Sequence, residues 1–329
     1  MPRWQTLPAI PVERAVTPTT IAAAVPRFYG WLKYVRHATE NTCDAYRRTM
    51  QEFSRFAADV GLEQMTAMTP QAIEMYLAYG REMRQNKPST SHRKLYAIRT
   101  FFNWCIREGY VATNPSLTAM VPPVGQRLPR YLTVPEQERL LEVLRRETTP
   151  VGQRLYMMVL LALLTGLRVS ELVAVRVDEL DLERGVLTVT QGKGNKQREV
   201  PLIRRVVTAL RSYLEVERPA FLKPAQDGAV QEVPWLFPLR AGRGRHDVAE
   251  PMTTRTAHNY IAALGPVVGK PLHPHMLRHS YASRLRESGA PLELISEVLG
   301  HSSVEVTMIY AHLSTGKQVR DITRYLEEG

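Results

Sequence analysis

Residues 274–313 read PHMLRHSYASRLRESGAPLELISEVLGHSSVEVTMIYAHL. Within this run His275 and Arg278 stand three apart, so a helix through them carries both on one face. Gly300 and His301 close the next apolar helix, and Tyr310 follows nine residues after His301. Two histidines, an arginine and a tyrosine at such offsets are equipment for attacking a phosphodiester without a metal. They supply a nucleophilic oxygen, proton acceptors and a cation for the charge that gathers on phosphorus.

Two further stretches extend the pattern upstream: TGLRVSEL at residues 165–172 and GKGNKQREVPL at residues 192–202. Each fragment is common by itself, and their order is not. An arginine after a TGL turn, a lysine in a hairpin, HxxRH, then LGH with its tyrosine together resemble the catalytic domain of the tyrosine recombinases, the phage-integrase family. The Xer-like branch is the nearest in pattern. This resemblance covers Arg168 to Tyr310. The segments NTCDAYRRTMQEFSRFA (residues 41–57) and SHRKLYAIRTFFNWCIREG (residues 91–109) look like that family's helical core-binding domain. The fold the resemblance implies is mainly α with a small antiparallel β-sheet: an all-α core-binding domain plus an α+β DNA breaking-rejoining catalytic domain.

At 329 residues the chain is long enough for two domains with cores of their own. Cys43 and Cys105 lie far apart with no CxxC or Cys/His cluster, which argues against structural zinc and reads as two small buried hydrophobes. No apolar run approaches the ~20 residues of a membrane span, and no secretory signal opens the chain, so a soluble cytoplasmic protein is expected. The formal net charge of +11 and pI near 9.8 point to a polyanionic partner. Residues 1–118 hold 15 Lys+Arg against 9 Asp+Glu, and the remainder 28 against 23, so both halves are basic. A protein gripping DNA from two sides needs that, although a generally basic protein shows it too.

Four prolines and no helical periodicity mark residues 1–18 as a mobile arm. Residues 19–118 then predict four helices. Phe28, Trp31, Leu32 and Val35 form the apolar stripe of the first, and Tyr46, Met50, Phe53 and Phe56 that of a second after a polar start at Asn41. Ile73, Tyr76 and Leu77 face inward in a third after Thr69-Pro70. Leu95, Ile98, Phe101, Phe102 and Cys105 do so in a fourth that stops at Gly109. Residues 119–132 are rich in proline and read as an extended interdomain linker. The span 133–329 reads as the catalytic domain. Thr133 and Glu136 predict a capping box, residues 155–164 a buried helix, and residues 185–190 and 198–202 two strands with a hairpin tip at 192–195. A helix is expected from about Arg204 to Glu217, and a basic Gly/Pro-rich loop between Lys223 and Glu250. Residues 315–328 predict a short amphipathic helix carrying Val319, Ile322 and Leu326. It would either pack into a neighbouring protomer, as the resemblance implies, or fold back on its own domain.

The resemblance also implies roles. Tyr310 is the nucleophile, forming a 3′-phosphotyrosyl intermediate. Arg168 and Arg278 clamp non-bridging oxygens with planar forks that a lysine could not reproduce. His275 is a general base or phosphate ligand, and His301 donates a hydrogen bond to the phosphate. Lys193, or alternatively Lys196 in the same turn, protonates the leaving 5′ oxygen. Tyrosine has an ordinary pKa near 10, so the cations must help it. Glu171, three after Arg168, orients that arginine or forms a structural ion pair with it. His279 points away from the Arg278 face, and His273 and His312 read as surface or cap residues.

Arg47, Arg48, His92, Arg93, Lys94 and Arg99 lie on polar helix faces and would meet phosphates, unless those faces are merely solvated. Arg127 and Arg130 in the linker and Arg243 and Arg245 in the basic loop are further DNA-contact candidates. The expected partner is a double-stranded DNA recombination site, bound by a homotetramer or together with a related recombinase. No cofactor, metal or membrane is expected. Two rival functions stand beside this one: a catalytically silent sequence-specific DNA-binding protein on the same scaffold, and a type IB-like topoisomerase of the same chemical type.

Overall fold

The computed structural model describes residues 19–123, 130–190, 197–222, 233–239 and 250–300. The chain divides into two compact units between Gln126 and Arg127.

In the first unit, helices α1 (Ile21–Tyr34), α2 (Glu40–Asp59), α3 (Pro70–Arg84) and α4 (Pro88–Arg107) enclose an aromatic-rich core. Threonines begin three of them: Thr20, Thr39 and Thr69 each accept a hydrogen bond from the backbone N–H three residues on. Thr39 therefore starts α2 ahead of the expected Asn41. Phe28, Phe53, Phe101 and Phe102 are sealed in the core, with the Phe28 and Phe101 rings edge to face at 5.3 Å. The predicted stripe of α1 needs one correction. Val35 follows the last turn as its C-cap and is 61% exposed, because the helix ends before the stripe returns to the core. After α4 the chain stays pinned to this unit: the Met120 N–H donates to Glu74, and a His92 ring nitrogen lies 2.8 Å from the Pro122 carbonyl oxygen.

The second unit is built around α6 (Pro150–Thr165), whose residues Met157 to Leu164 are all buried. A helix apolar on every side can only be a central one. Around it pack α5 (Val134–Arg145), α8 (Arg204–Ser212), α9 (Thr254–Ala263) and α11 (Pro274–Glu287), with the short α7 (Val169–Val173), α10 (Gly265–Val268) and α12 (Leu292–Leu299) completing the unit. The capping box of α5 is present, with the Thr133 N–H donating to Glu136 at 2.8 Å.

The sheet is antiparallel in the order β1 (Leu180–Asp181), β2 (Val186–Val189), β3 (Arg198–Pro201). Its register pairs Leu187 with Val200 and Val189 with Arg198. Leu187, Val189 and Val200 turn inward, the alternation that the sequence carries. The two-residue β1 has too little pattern to be read in advance. The helix expected from Arg204 to Glu217 keeps its extent but changes pitch, passing through one π turn at Tyr213–Glu217.

Candidate active site

Helix α6 ends at Gly166 with φ +63°, and a Cβ there would lie 2.4 Å from the Tyr281 ring. Only glycine both adopts this conformation without cost and leaves room for that ring. The resulting turn delivers Arg168 to the start of α7, where its own N–H donates to Glu171 at 2.8 Å. Arg168 Nη1 reaches the same carboxylate at 2.8 Å. The spacing of three is thus spanned by an ion pair and a backbone hydrogen bond within one helical turn.

Helix α11 opens at His273, whose Nδ1 accepts the Met276 N–H, so this histidine is a cap. One turn on, Arg278 is only 6% exposed. Its Nη1 donates to the Gly166 carbonyl at 2.7 Å and its Nη2 to the Leu299 carbonyl at 2.6 Å. Helix α12 in turn ends at Gly300 with φ +63°, and the Gly300 carbonyl accepts Arg168 Nη2 at 2.9 Å. The two arginines are therefore gathered at the carboxyl end of α12, the residue before His301. Carbonyls at a helix end have no partner within the helix and carry partial negative charge, which suits two guanidinium groups.

His275, an exposed residue in the first turn of α11, lies close enough to feel the charge of both arginines. Partial burial lowers its pKa, and the charges of His273, Arg278, His258 and Arg168 act in the same direction. Both effects favour the neutral imidazole, the form able to take a proton. Burial, with His275 and Arg278 nearby, brings His279 down to about 4.

A residue that the sequence reading did not single out completes the cluster. Arg198 on β3 forks onto Glu171, with Nη1 3.0 Å from one carboxylate oxygen and Nη2 2.9 Å from the other. Burial by itself would raise the Glu171 carboxyl, but hydrogen bonds from Arg198 and the Arg168 main chain, with the charge of Arg198, hold it at about 2. Arg198 closes the motif GKGNKQR, but nothing local distinguishes an arginine bound to a buried carboxylate from one on a solvated strand.

Arg168, Glu171, His275 and Arg278 are thus brought together. Lys193, its alternative Lys196, His301 and Tyr310 lie outside the described residues, as do Arg127, Arg243, Arg245, His312, the arm at 1–18 and the tail helix at 315–328.

In the first unit, Arg48 and Arg93 line a polar cleft of about 240 Å³ between α2 and α4. Arg47 is exposed beside them, paired with Asp44 at 2.7 Å. Lys94 is a correction to the exposed basic face. It is 7% exposed, with Nζ 2.6 Å from Glu52 and 5.2 Å from the centre of the Tyr76 ring. It precedes Leu95 on the apolar side of α4, so its stem is drawn inward and its charge is taken up by Glu52. Arg99 is half-buried and donates to the Ser116 and Ala119 carbonyls, which ties the chain after α4 to the helix. Arg130, in the second unit, is exposed. Among the described residues, no group of three His, Cys, Asp or Glu side chains is placed to hold a metal ion, and no helix is long and apolar enough to cross a membrane.

Residues 130–317 match the phage integrase family, and residues 25–109 match the phage integrase N-terminal SAM-like domain. Tyrosine recombinase XerC of Xanthomonas campestris pv. campestris (strain B100) is 33% identical over 293 residues, spanning 88% of this chain and 84% of the relative. Tyrosine recombinase XerD of Caulobacter vibrioides is 34% identical over 282 residues, spanning 85% and 88%. In fold, the chain is similar to the Tn1549 transposon integrase in complex with a circular intermediate DNA, with a TM-score of 0.70 at 19% identity over 94% of this chain and 99% of that one. It is also similar to XerH site-specific recombinase bound to palindromic difH substrate, with a TM-score of 0.68 at 22% identity over 88% and 81%. The silent DNA-binding protein and the topoisomerase find no support among these relatives. The chain belongs to the phage integrase family and is a site-specific tyrosine recombinase.

Proposed function

We propose that this recombinase cuts and rejoins double-stranded DNA through Tyr310, without metal or nucleotide. The phenolic oxygen attacks the scissile phosphorus as His275 accepts its proton. The new bond is a 3′-phosphotyrosyl ester, and the bond to the 5′ oxygen breaks. Lys193, at the hairpin tip, gives that oxygen a proton. Arg168 and Arg278 hold the non-bridging oxygens while negative charge builds, and His301 adds a hydrogen bond. The ester conserves the energy of the original linkage, so a 5′ hydroxyl from a partner duplex can reverse the step and join strands through a Holliday junction.

The observation that carries this reading is the placement of Arg168 and Arg278 on consecutive carbonyls at the end of α12, next to His301 in the chain and beside His275. Residues 19–118 serve as the core-binding domain, residues 119–132 cross between the domains, and residues 133–329 perform the chemistry. Arg47, Arg48, Arg93 and Arg130 meet phosphates, joined by Arg127, Arg243 and Arg245. Four copies assemble on the site, or the assembly is shared with a related recombinase, in the cytoplasm where the nucleoid lies. The DNA-bound forms of the structural neighbours support a duplex partner.

A nicked duplex that traps the covalent complex tests this. Wild-type protein accumulates a protein–DNA adduct, and Tyr310→Phe binds the same duplex but forms none. An adduct in that variant returns the nucleophile to another residue.

A further inference from the structure

The Glu171 carboxylate, with its side chain 1% exposed, is shared between two arginines. One oxygen accepts Arg168 Nη1 at 2.8 Å and Arg198 Nη1 at 3.0 Å. The other accepts the Arg168 N–H at 2.8 Å and Arg198 Nη2 at 2.9 Å. Arg198 thus makes the bidentate pair, whereas Arg168 spends one side-chain nitrogen on Glu171 and another on the Gly300 carbonyl. The exposures differ in the same sense: the Arg198 side chain is 14% exposed and that of Arg168 26%.

Charge counting gives this arrangement a consequence. Glu171 with Arg168 alone would form a neutral pair, and in a poorly hydrated site opposite charges attract more strongly than in water, so that pair would hold the Arg168 charge on the carboxylate. Adding Arg198 leaves the trio at +1, with Arg168 the more exposed of its two cations. We infer that Arg198 is a positioning residue for strand cleavage: by saturating Glu171 it leaves the charge of Arg168 available to the scissile phosphate. The role extends the recombinase reading above and rests on it. Arg198 also touches the neighbouring parts of the site. It lies two residues after Lys196 in the chain, and its guanidinium packs on Gly300, where an added Cβ would come within 3.3 Å of Nη1.

Single-turnover cleavage decides the matter, using a nicked duplex whose site the wild-type protein has selected from a random-sequence pool. Failure of the wild type to select a site or form an adduct would overturn the recombinase reading and this inference with it. Given a wild-type adduct, Arg198→Ala should bind the duplex within a few-fold of wild type yet cleave ~100-fold more slowly, the loss typical of weakening one charge-stabilising group. Glu171→Gln in the Arg198→Ala background should recover at least ~10-fold of that loss, because removing the carboxylate removes the need to cancel it. A merely structural role predicts a double variant no faster than the single one, and that result overturns the inference. Cleavage by folded Arg198→Ala at the wild-type rate overturns it too. Should Arg198→Ala fail to fold, Arg198→Lys stands in: it keeps the charge and loses the fork, so cleavage should fall by no more than ~10-fold. A loss of ~100-fold or more in that variant overturns the inference.

Discussion

Arg168 and Arg278 donate to neighbouring carbonyls of one helix end, Arg168 to Gly300 at 2.9 Å and Arg278 to Leu299 at 2.6 Å. Fixing both guanidinium groups to the same short piece of backbone sets their separation, so in the proposed mechanism the phosphate meets a ready-made pair. Such preorganisation lowers the cost of stabilising charge in a transition state.

Replacing either arginine by lysine keeps a cation and loses the fork. Arg278→Lys should slow covalent adduct formation by ~100-fold or more while duplex binding changes little. Arg278→Ala should also lower stability by ~1–3 kcal/mol, because the Gly166 and Leu299 carbonyls lose their donors. Denaturant melts and single-turnover cleavage separate the two effects, and a stable Arg278→Ala protein would deny the tethering role.

Gly166→Ala forces a left-handed residue and a Cβ 2.4 Å from the Tyr281 ring. The expected loss is ~2–4 kcal/mol, with Arg278 displaced because its acceptor carbonyl moves. A melting temperature equal to that of wild type would show that the α6 turn relaxes without strain.

Acid weakens the catalytic unit in two windows. His279 has a native value of about 4 against 6.5 in a free histidine. The unfolded chain therefore takes up a proton first, and stability falls as pH drops from about 6.5 toward 4, by ~2–3 kcal/mol. Glu171, held at about 2, contributes stability that is complete above its ordinary 4.5 and drains away as pH falls through about 2. Unfolding free energies at pH 7 and pH 5 check the first window. His279→Gln should flatten that slope, and an unchanged slope would assign it to other groups.

On the first unit, exposed and buried cations should behave differently. Arg48→Ala and Arg93→Ala should each weaken duplex binding and reduce the dependence of log affinity on log salt by about one unit. Lys94→Met should leave that slope unchanged and lower stability instead, since Glu52 loses its closest cation. A salt slope altered by Lys94→Met would restore that lysine to the DNA-contacting set.

Much of this was legible in the chain. The stripes of α2 to α4, the buried α6, the capping box at Thr133 and the strands flanking GKGN depend on contacts within a few residues, where period and cap chemistry speak directly. Val35 and Lys94 misled for a related reason. A periodic stripe does not say where a helix stops, and a lysine on a helix flank does not say whether a carboxylate awaits it on another helix.

By itself the sequence determined the chemical inventory and its local geometry: His275 and Arg278 on one turn, Glu171 three after Arg168, and glycines where α6 and α12 had to end. Only the tertiary structure decided that Arg168, 132 residues from Gly300, donates to its carbonyl, and that Arg198 claims the far side of Glu171 across 27 residues. The reason is physical. Spacing along a helix or strand fixes neighbours through backbone periodicity, whereas pairing of charges across elements depends on packing and on which partner can share their burial.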